Sequence, residues 1–121
     1  MPRPAQPDPE SLLPLPSATF HILMALAGGD RHGYAIIQEV AQRTNDRLRL
    51  GAGTLYRSLQ RMLEQGLIVE TADRPDPESD DERRRYYRLT PYGESVARAE
   101  ARRLTELVRL ARASGFAGGR A

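Results

Sequence analysis

Positive charge in this sequence comes from one side-chain type: all 18 basic residues are arginine and none is lysine. A guanidinium stays ionised and presents N–H donors in a planar fork, which matches two phosphate oxygens or the O6/N7 edge of guanine. Arginine codons are also favoured by a GC-rich genome, so residue type alone assigns no role and position has to. Two groups stand out. Thr54, Arg57 and Arg61 recur on successive turns, with Tyr56 and Ser58 at their flanks. Arg83, Arg84, Arg85 and Arg88 place four cations within six residues, beside Tyr86 and Tyr87. The first group would offer one continuous ridge of donors to base edges and phosphates. The second would grip a polyanion backbone or enter a narrow minor groove. Asp73, Asp76, Glu78, Asp80, Asp81 and Glu82 precede it, and phosphate would repel them. Only the arginine end of that stretch is expected to approach a nucleic acid.

Other chemistries find little support. Without cysteine there are no disulfides, thiolate zinc sites, iron–sulfur clusters or cysteine nucleophiles. His21 falls in an apolar helix and His32 beside a helix start. No nucleophile motif, glycine-rich phosphate loop or spaced acid pair accompanies them, so the reading is a non-enzyme with no cofactor and no metal. Net charge is +2, with 40% hydrophobic and 28% charged residues, as in an ordinary folded chain. No apolar run reaches bilayer length, and the opening MPRPAQPDPESLLPLP lacks the apolar centre of a secretory signal. No membrane contact is expected, and the cytoplasm is the expected compartment. At 121 residues the chain has room for one domain.

The elements that would position the arginines follow from periodicity. Residues 1–14 are proline-rich and read as a loose arm. Ser17 looks like an N-cap, and Phe20, Leu23, Met24 and Leu26 recur at helical spacing until Gly28-Gly29 stops the helix. Asp30 can cap a second helix from Arg31 to about Arg43, with Tyr34, Ile37, Val40 and Ala41 on its apolar stripe. Arg47-Leu48-Arg49-Leu50 alternates as a minimal strand would. A third helix runs from about Gly53 or Thr54 to Gln65, with Leu55, Leu59, Met62 and Leu63 on one side, and Gly66 sits where a C-terminal cap belongs. Leu67–Thr71 and Arg85–Thr90 read as two strands of a hairpin around the charged loop 74–84. Thr90 caps a last helix from Pro91 to about Ser114, and residues 115–121 are expected to fray. The fold class is therefore mainly α with a small β-hairpin. It comprises a winged helix-turn-helix domain over 15–90 and a long C-terminal helix over 91–114. In such a fold the third helix enters the major groove.

Three strings, LPLPSATFHILMALAGGDRHGYAIIQEV, GAGTLYRSLQRMLEQGLI and DERRRYYRLTPYGESVARAEARRL, resemble the PadR family of bacterial transcription regulators over roughly Leu13 to Ser114. The most specific residues are His32-Gly33-Tyr34, Gly53-Thr54-Leu55-Tyr56 and Tyr86-Tyr87-Arg88-Leu89-Thr90, in that order. The resemblance implies a winged-helix dimer that usually represses its promoter and often releases it when a small aromatic or drug-like molecule binds. It implies that the third helix reads double-stranded DNA and that Tyr34 touches the DNA backbone. With a single C-terminal helix the chain is similar to the family's short subgroup, and it has no tryptophan with which to sandwich an aromatic drug.

The last helix points to self-association. Ala97, Ala101, Leu104, Val108 and Ala111 follow a four-three-four-three spacing flanked by Leu107 and Leu110, a coiled-coil-like seam. Val96 and Ala97 are expected to pack on their own domain. Beyond Leu104 the helix outruns a domain this small, so a second copy is the expected cover, giving a homodimer on an imperfect palindrome. Helix 1 around Phe20 and Met24 is the other candidate interface. The competing functional reading is a winged helix used only for protein contact, whose sign would be an apolar outward face on the third helix.

Overall fold

The computed structural model of the chain describes residues 6–71 and 85–116. Apolar periodicity becomes four helices: α1 (Ser17–Leu26), α2 (Gly33–Arg43), α3 (Ala52–Gln65) and α4 (Pro91–Ala113). Three short strands accompany them, β1 (Arg31–His32), β2 (Ile68–Thr71) and β3 (Tyr86–Leu89), and a 3-10 turn over Pro9–Leu12 precedes α1. The sheet is antiparallel with order β1-β3-β2, so β3 is its middle strand. Its register pairs Arg31 with Tyr87 on one side and Glu70 with Tyr87 on the other. The core lies among α1, α2, α3 and the first turns of α4, where Ile22, Leu23, Ile36, Leu55, Leu59, Met62 and Val96 are fully buried.

Several expectations change. The strand expected at Arg47–Leu50 is a bend followed by irregular chain, and the alternation there reflects Leu50 buried in the core with Leu48 packed against it. The small strand is Arg31–His32 instead. That displaces the start of α2: His32 is its N-cap, its Nδ1 accepting the Ala35 N–H at 3.1 Å. Asp30, expected as the cap, accepts two N–H groups of Arg88 at 2.8 to 3.2 Å. Pro16 rather than Ser17 occupies the N-cap position of α1.

Residues 6–14 also differ from a loose arm. Proline prevents helix and ladder bonds, but it does not prevent packing. The 3-10 turn lies against α4, with Leu12 and Leu13 on the core. Tyr92 donates its hydroxyl to the Pro7 carbonyl at 2.7 Å, and the Leu15 N–H donates to Glu100 at 3.1 Å.

α4 starts at a crowded corner. The Thr90 hydroxyl accepts the Gly93 N–H at 2.9 Å and lies 2.6 and 3.0 Å from the Gly66 and Leu67 carbonyl oxygens, to which it donates. The Thr90 N–H also donates to Leu67 at 3.1 Å. A Cβ on Gly93 would lie 2.0 Å from the Leu67 carbonyl oxygen, so only glycine fits.

Candidate nucleic-acid interface

α3 buries Leu55, Leu59 and Met62 and turns the rest of its circumference outward. Thr54, Tyr56, Arg57 and Arg61 are exposed and Ser58 is half-buried. Gly66 ends the helix in the left-handed region, at φ 79°. Helical side chains lean toward the N-terminus. Arg57 does so, with its Nη1 lying 3.3 Å from where a Gly53 Cβ would be. Among the described residues Arg57 and Arg61 enter no ion pair, nor do Arg47, Arg102 and Arg112, whereas Arg31, Arg43, Arg49, Arg85, Arg88, Arg98, Arg103 and Arg109 all do. Glu64, the acid of this helix, lies on its last turn, 3.4 Å from Gln60. The outward face of α3 therefore presents a hydroxyl at Thr54 and two guanidinium groups without an ion-pair partner, Arg57 toward its leading end and Arg61 a turn further on.

Tyr34, the second residue of α2, is 63% exposed. Its position is set by the His32 cap, whose ring meets Tyr86 edge-on at 5.3 Å. Tyr56 is partly drawn away from the outward face. Its hydroxyl oxygen would be 2.7 Å from a Cβ on Gly33, and Leu55 Cδ2 3.2 Å from it, so the missing side chain at Gly33 lets α2 and α3 meet here.

In the wing stem the structure separates cations that the sequence groups together. Arg85 is exposed, with its Nη1 3.3 Å from Glu70 across the hairpin. Arg88 is turned to Asp30, at the foot of β1. Arg83 and Arg84 lie outside the described residues. Between the stem and α3 runs an open cleft lined by Tyr56, Leu59, Gln60, Leu63, Glu70, Arg85 and Tyr87. Burial, and secondarily the Glu70 charge, push the Tyr87 hydroxyl above the ordinary phenol range, so it stays neutral.

The seam on α4 falls into two parts. Ala97 is half-buried against the chain's own core. Ala101 is exposed, Leu104 and Ala111 are half-buried, and Leu107 and Val108 are 52% and 48% exposed. Phe20 is half-buried against the same core, and Met24 is half-buried. Val96, Ala99 and Glu100 are the last buried residues of the helix.

Sequence reasoning missed His32 as a cap and Glu100 as a buried group. His32 sits directly before Gly33, where a helix-starting acceptor belongs. Glu100 lies four residues after Val96, on the face that enters the core. Among the described residues no helix is long and apolar enough to cross a membrane, and no cluster of histidines and acids could hold a metal ion.

Residues 22–99 match the sequence profile described as "Transcriptional regulator PadR-like family". The chain is 35% identical over 89 residues to the transcriptional regulator Rv3488 of Mycobacterium tuberculosis, covering 74% of this chain and 77% of that one. It is 36% identical over 88 residues to an uncharacterized protein X of Lysinibacillus sphaericus, covering 73% and 72%. Among solved structures it resembles a PadR family transcription regulator from Clostridium difficile, with TM-score 0.67, 25% identity and coverage of 80% and 96%. A transcriptional regulator from Clostridium thermocellum has the same fold, with TM-score 0.67, 24% identity and coverage of 78% and 86%.

Proposed function

The chain belongs to the PadR-like family of transcriptional regulators, and from that premise we propose that it is a sequence-specific repressor that binds double-stranded DNA as a homodimer. One observation carries the reading: Thr54, Arg57 and Arg61 lie exposed along α3, and among the described residues no acid pairs with either arginine. Residues 15–90 form the DNA-binding unit. α3 enters the major groove from its glycine-bounded N-terminal end, Arg57 and Arg61 reach guanine edges or phosphates, and Thr54 and Ser58 add hydroxyl contacts. Tyr34 and the accessible edge of Tyr56 meet the backbone beside the groove. Arg85, with Arg83 and Arg84 next to it in sequence, serves the wing. Its exposed pair with Glu70 is weak enough to exchange for a phosphate, since such pairs are worth about 0–1 kcal/mol.

Residues 91–114 supply the dimer contact through Ala101, Leu104, Leu107, Val108 and Ala111, with Ala97, Phe20 and Met24 at its margin. The exposed apolar side chains beyond Glu100 support this, because a lone helix in water gains nothing from them. A two-fold dimer implies an imperfect palindrome near its own or a neighbouring promoter, in the cytoplasm. Release by a small aromatic molecule is the remaining part of the reading. The cleft under Tyr56 and Tyr87 supports it, since an aromatic guest there would occupy space beside the recognition helix.

The experiment is DNA binding against salt. Arginine–phosphate contacts release condensed counterions, so affinity should fall steeply and log-linearly as salt rises. A flat response would leave the protein-contact module in its place, although the polar, cationic face of α3 speaks against that alternative.

A further inference from the structure

Glu100 is out of place by the ordinary rules for charge. Its side chain is 3% exposed, near the middle of a helix, in a protein whose other described ion pairs lie nearer the surface. Burying a carboxylate is costly unless its oxygens are fully engaged, and these are. Oε1 accepts the Arg103 Nε at 2.6 Å, and Oε2 accepts the Arg103 Nη2 and the Leu15 N–H, both at 3.1 Å. An apolar residue of similar size would fill the same space at no net loss, because buried ion pairs roughly break even against apolar packing. Directional bonds give an angle that apolar contact does not.

The location of that angle matters. Past Glu100 no residue of α4 is buried and past Leu104 the next six are exposed, so the helix leaves the domain over the turn that Glu100 begins. Leu15 lies two residues before α1, which packs on both α2 and α3. The carboxylate thus ties the exit point of α4 to the body that carries the recognition helix. At 1.5 Å per residue the part of α4 beyond Leu104 is roughly 14 Å long, so a 15° tilt moves its end by about 3.5 Å. That is about one base-pair step along DNA.

We propose that Glu100 is a positioning residue: by latching α4 to Leu15 it sets the separation of the two recognition helices, and hence the half-site spacing the dimer accepts. This rests on the dimer reading above. The chain has no cysteine, so a single Gln60→Cys on the exposed face of α3 can carry a spin label, and the distance between the two α3 helices of a dimer can be read without DNA. The label is placed in the otherwise unchanged protein, in Glu100→Met, in Glu100→Gln and in Arg103→Met. The same four proteins without the cysteine or label are titrated with duplexes whose half-sites are moved apart or together by one or two base pairs.

The unchanged protein should give a narrow distance distribution and lose about tenfold in affinity per base pair of misplacement, whereas Glu100→Met should give a broad distribution and lose about threefold or less. Glu100→Gln retains an acceptor for Leu15 and should keep the narrow profile. A merely structural role would lower the melting temperature and leave both profiles as they were. A folded, dimeric Glu100→Met with a narrow distribution and sharp spacing preference overturns the proposal. Should that variant not fold, Glu100→Ala, labelled in the same way, decides by the same criterion; Arg103→Met leaves the Leu15 acceptor in place and should keep the narrow profile. If the unchanged protein shows no distance between protomers, the dimer reading falls, and the proposal falls with it.

Discussion

Replacing Gly93 with alanine tests the corner where α4 begins, and the sign of the effect is decided by geometry. Alanine is a better helix former than glycine by about 1 kcal/mol, so in open space the substitution would stabilise. Here the added Cβ would sit 2.0 Å from the Leu67 carbonyl oxygen and 3.0 Å from Leu89 Cδ1. An ordinary carbon–oxygen contact is about 3.3 Å, so α4 must retreat from β2 by about 1.3 Å. That retreat breaks two donor bonds of Thr90, the hydroxyl's single hydrogen shared between the Gly66 and Leu67 carbonyls at 2.6 and 3.0 Å and the N–H to Leu67 at 3.1 Å. Two lost bonds at about 1 kcal/mol each, with about 1–3 kcal/mol of overpacking and the helix gain subtracted, leave a net loss of about 2–4 kcal/mol. For a domain of this size the melting temperature should fall by about 10–20 °C. The assay is thermal unfolding followed by circular dichroism, with Gly53→Ala as the control. Gly53 is exposed, and its Cβ would meet only the movable end of Arg57, so the control should melt at or slightly above the parent. A Gly93→Ala protein that melts as high as the parent refutes the reasoning.

Arg57→Ala should reduce discrimination between operator and random DNA by about 1–3 kcal/mol, the worth of a bidentate guanine contact; equal loss on both in a competition assay would make Arg57 a phosphate contact. Arg84→Ala with Arg85→Ala should weaken binding to all sequences alike, and a loss confined to one sequence would show base reading by the wing. Leu104→Asp with Val108→Asp should sediment as a monomer, because two carboxylates cannot be solvated in a closed apolar seam; persistence of the dimer would place the interface elsewhere. Glu100 is held below the ordinary carboxylate range by the Arg103 hydrogen bond, against burial, with help from the Leu15 N–H. Its folded pKa is depressed, so its contribution is full above about pH 4.3, the unfolded value, and is lost as pH falls through the folded one. The melting-temperature gap between parent and Glu100→Gln should therefore narrow in acid, and a gap that stays constant would contradict the assignment.

What could be read from residue order was what local physics determines. Leu55, Leu59 and Met62 repeat at helical spacing, so the buried side of α3 was legible, and with it the outward placement of Thr54, Arg57 and Arg61. Thr90-Pro91 marked the start of α4 because a hydroxyl acceptor followed by a residue with preset φ is itself a helix start. The parts that escaped depend on partners far along the chain. Arg31-His32 carries no strand signal and becomes one only because β3 offers an edge. Asp30 is a reasonable cap in isolation, but Arg88 captures it through two hydrogen-bonding nitrogens. The arm before Ser17 is proline-rich, and that argues against regular structure without arguing against order. Glu100 sits among Arg98, Arg102 and Arg103 and looks like a solvated residue until Leu15 is placed beside it.

The contacts between the arm and α4 also bear on timing. Leu15 meets Glu100 and Pro7 meets Tyr92, each across 85 positions of chain. During synthesis the first of these residues is made long before the second, and a chain grows at about 5–20 residues per second. For several seconds α1, α2 and α3 exist without the helix that supplies Val96 to their core and the carboxylate that receives Leu15. α3 thus precedes the helix that closes the structure around it. A nascent chain released early, or stalled before residue 100, would carry the exposed arginines of α3 on an uncompleted core, and such fragments should be selected for degradation.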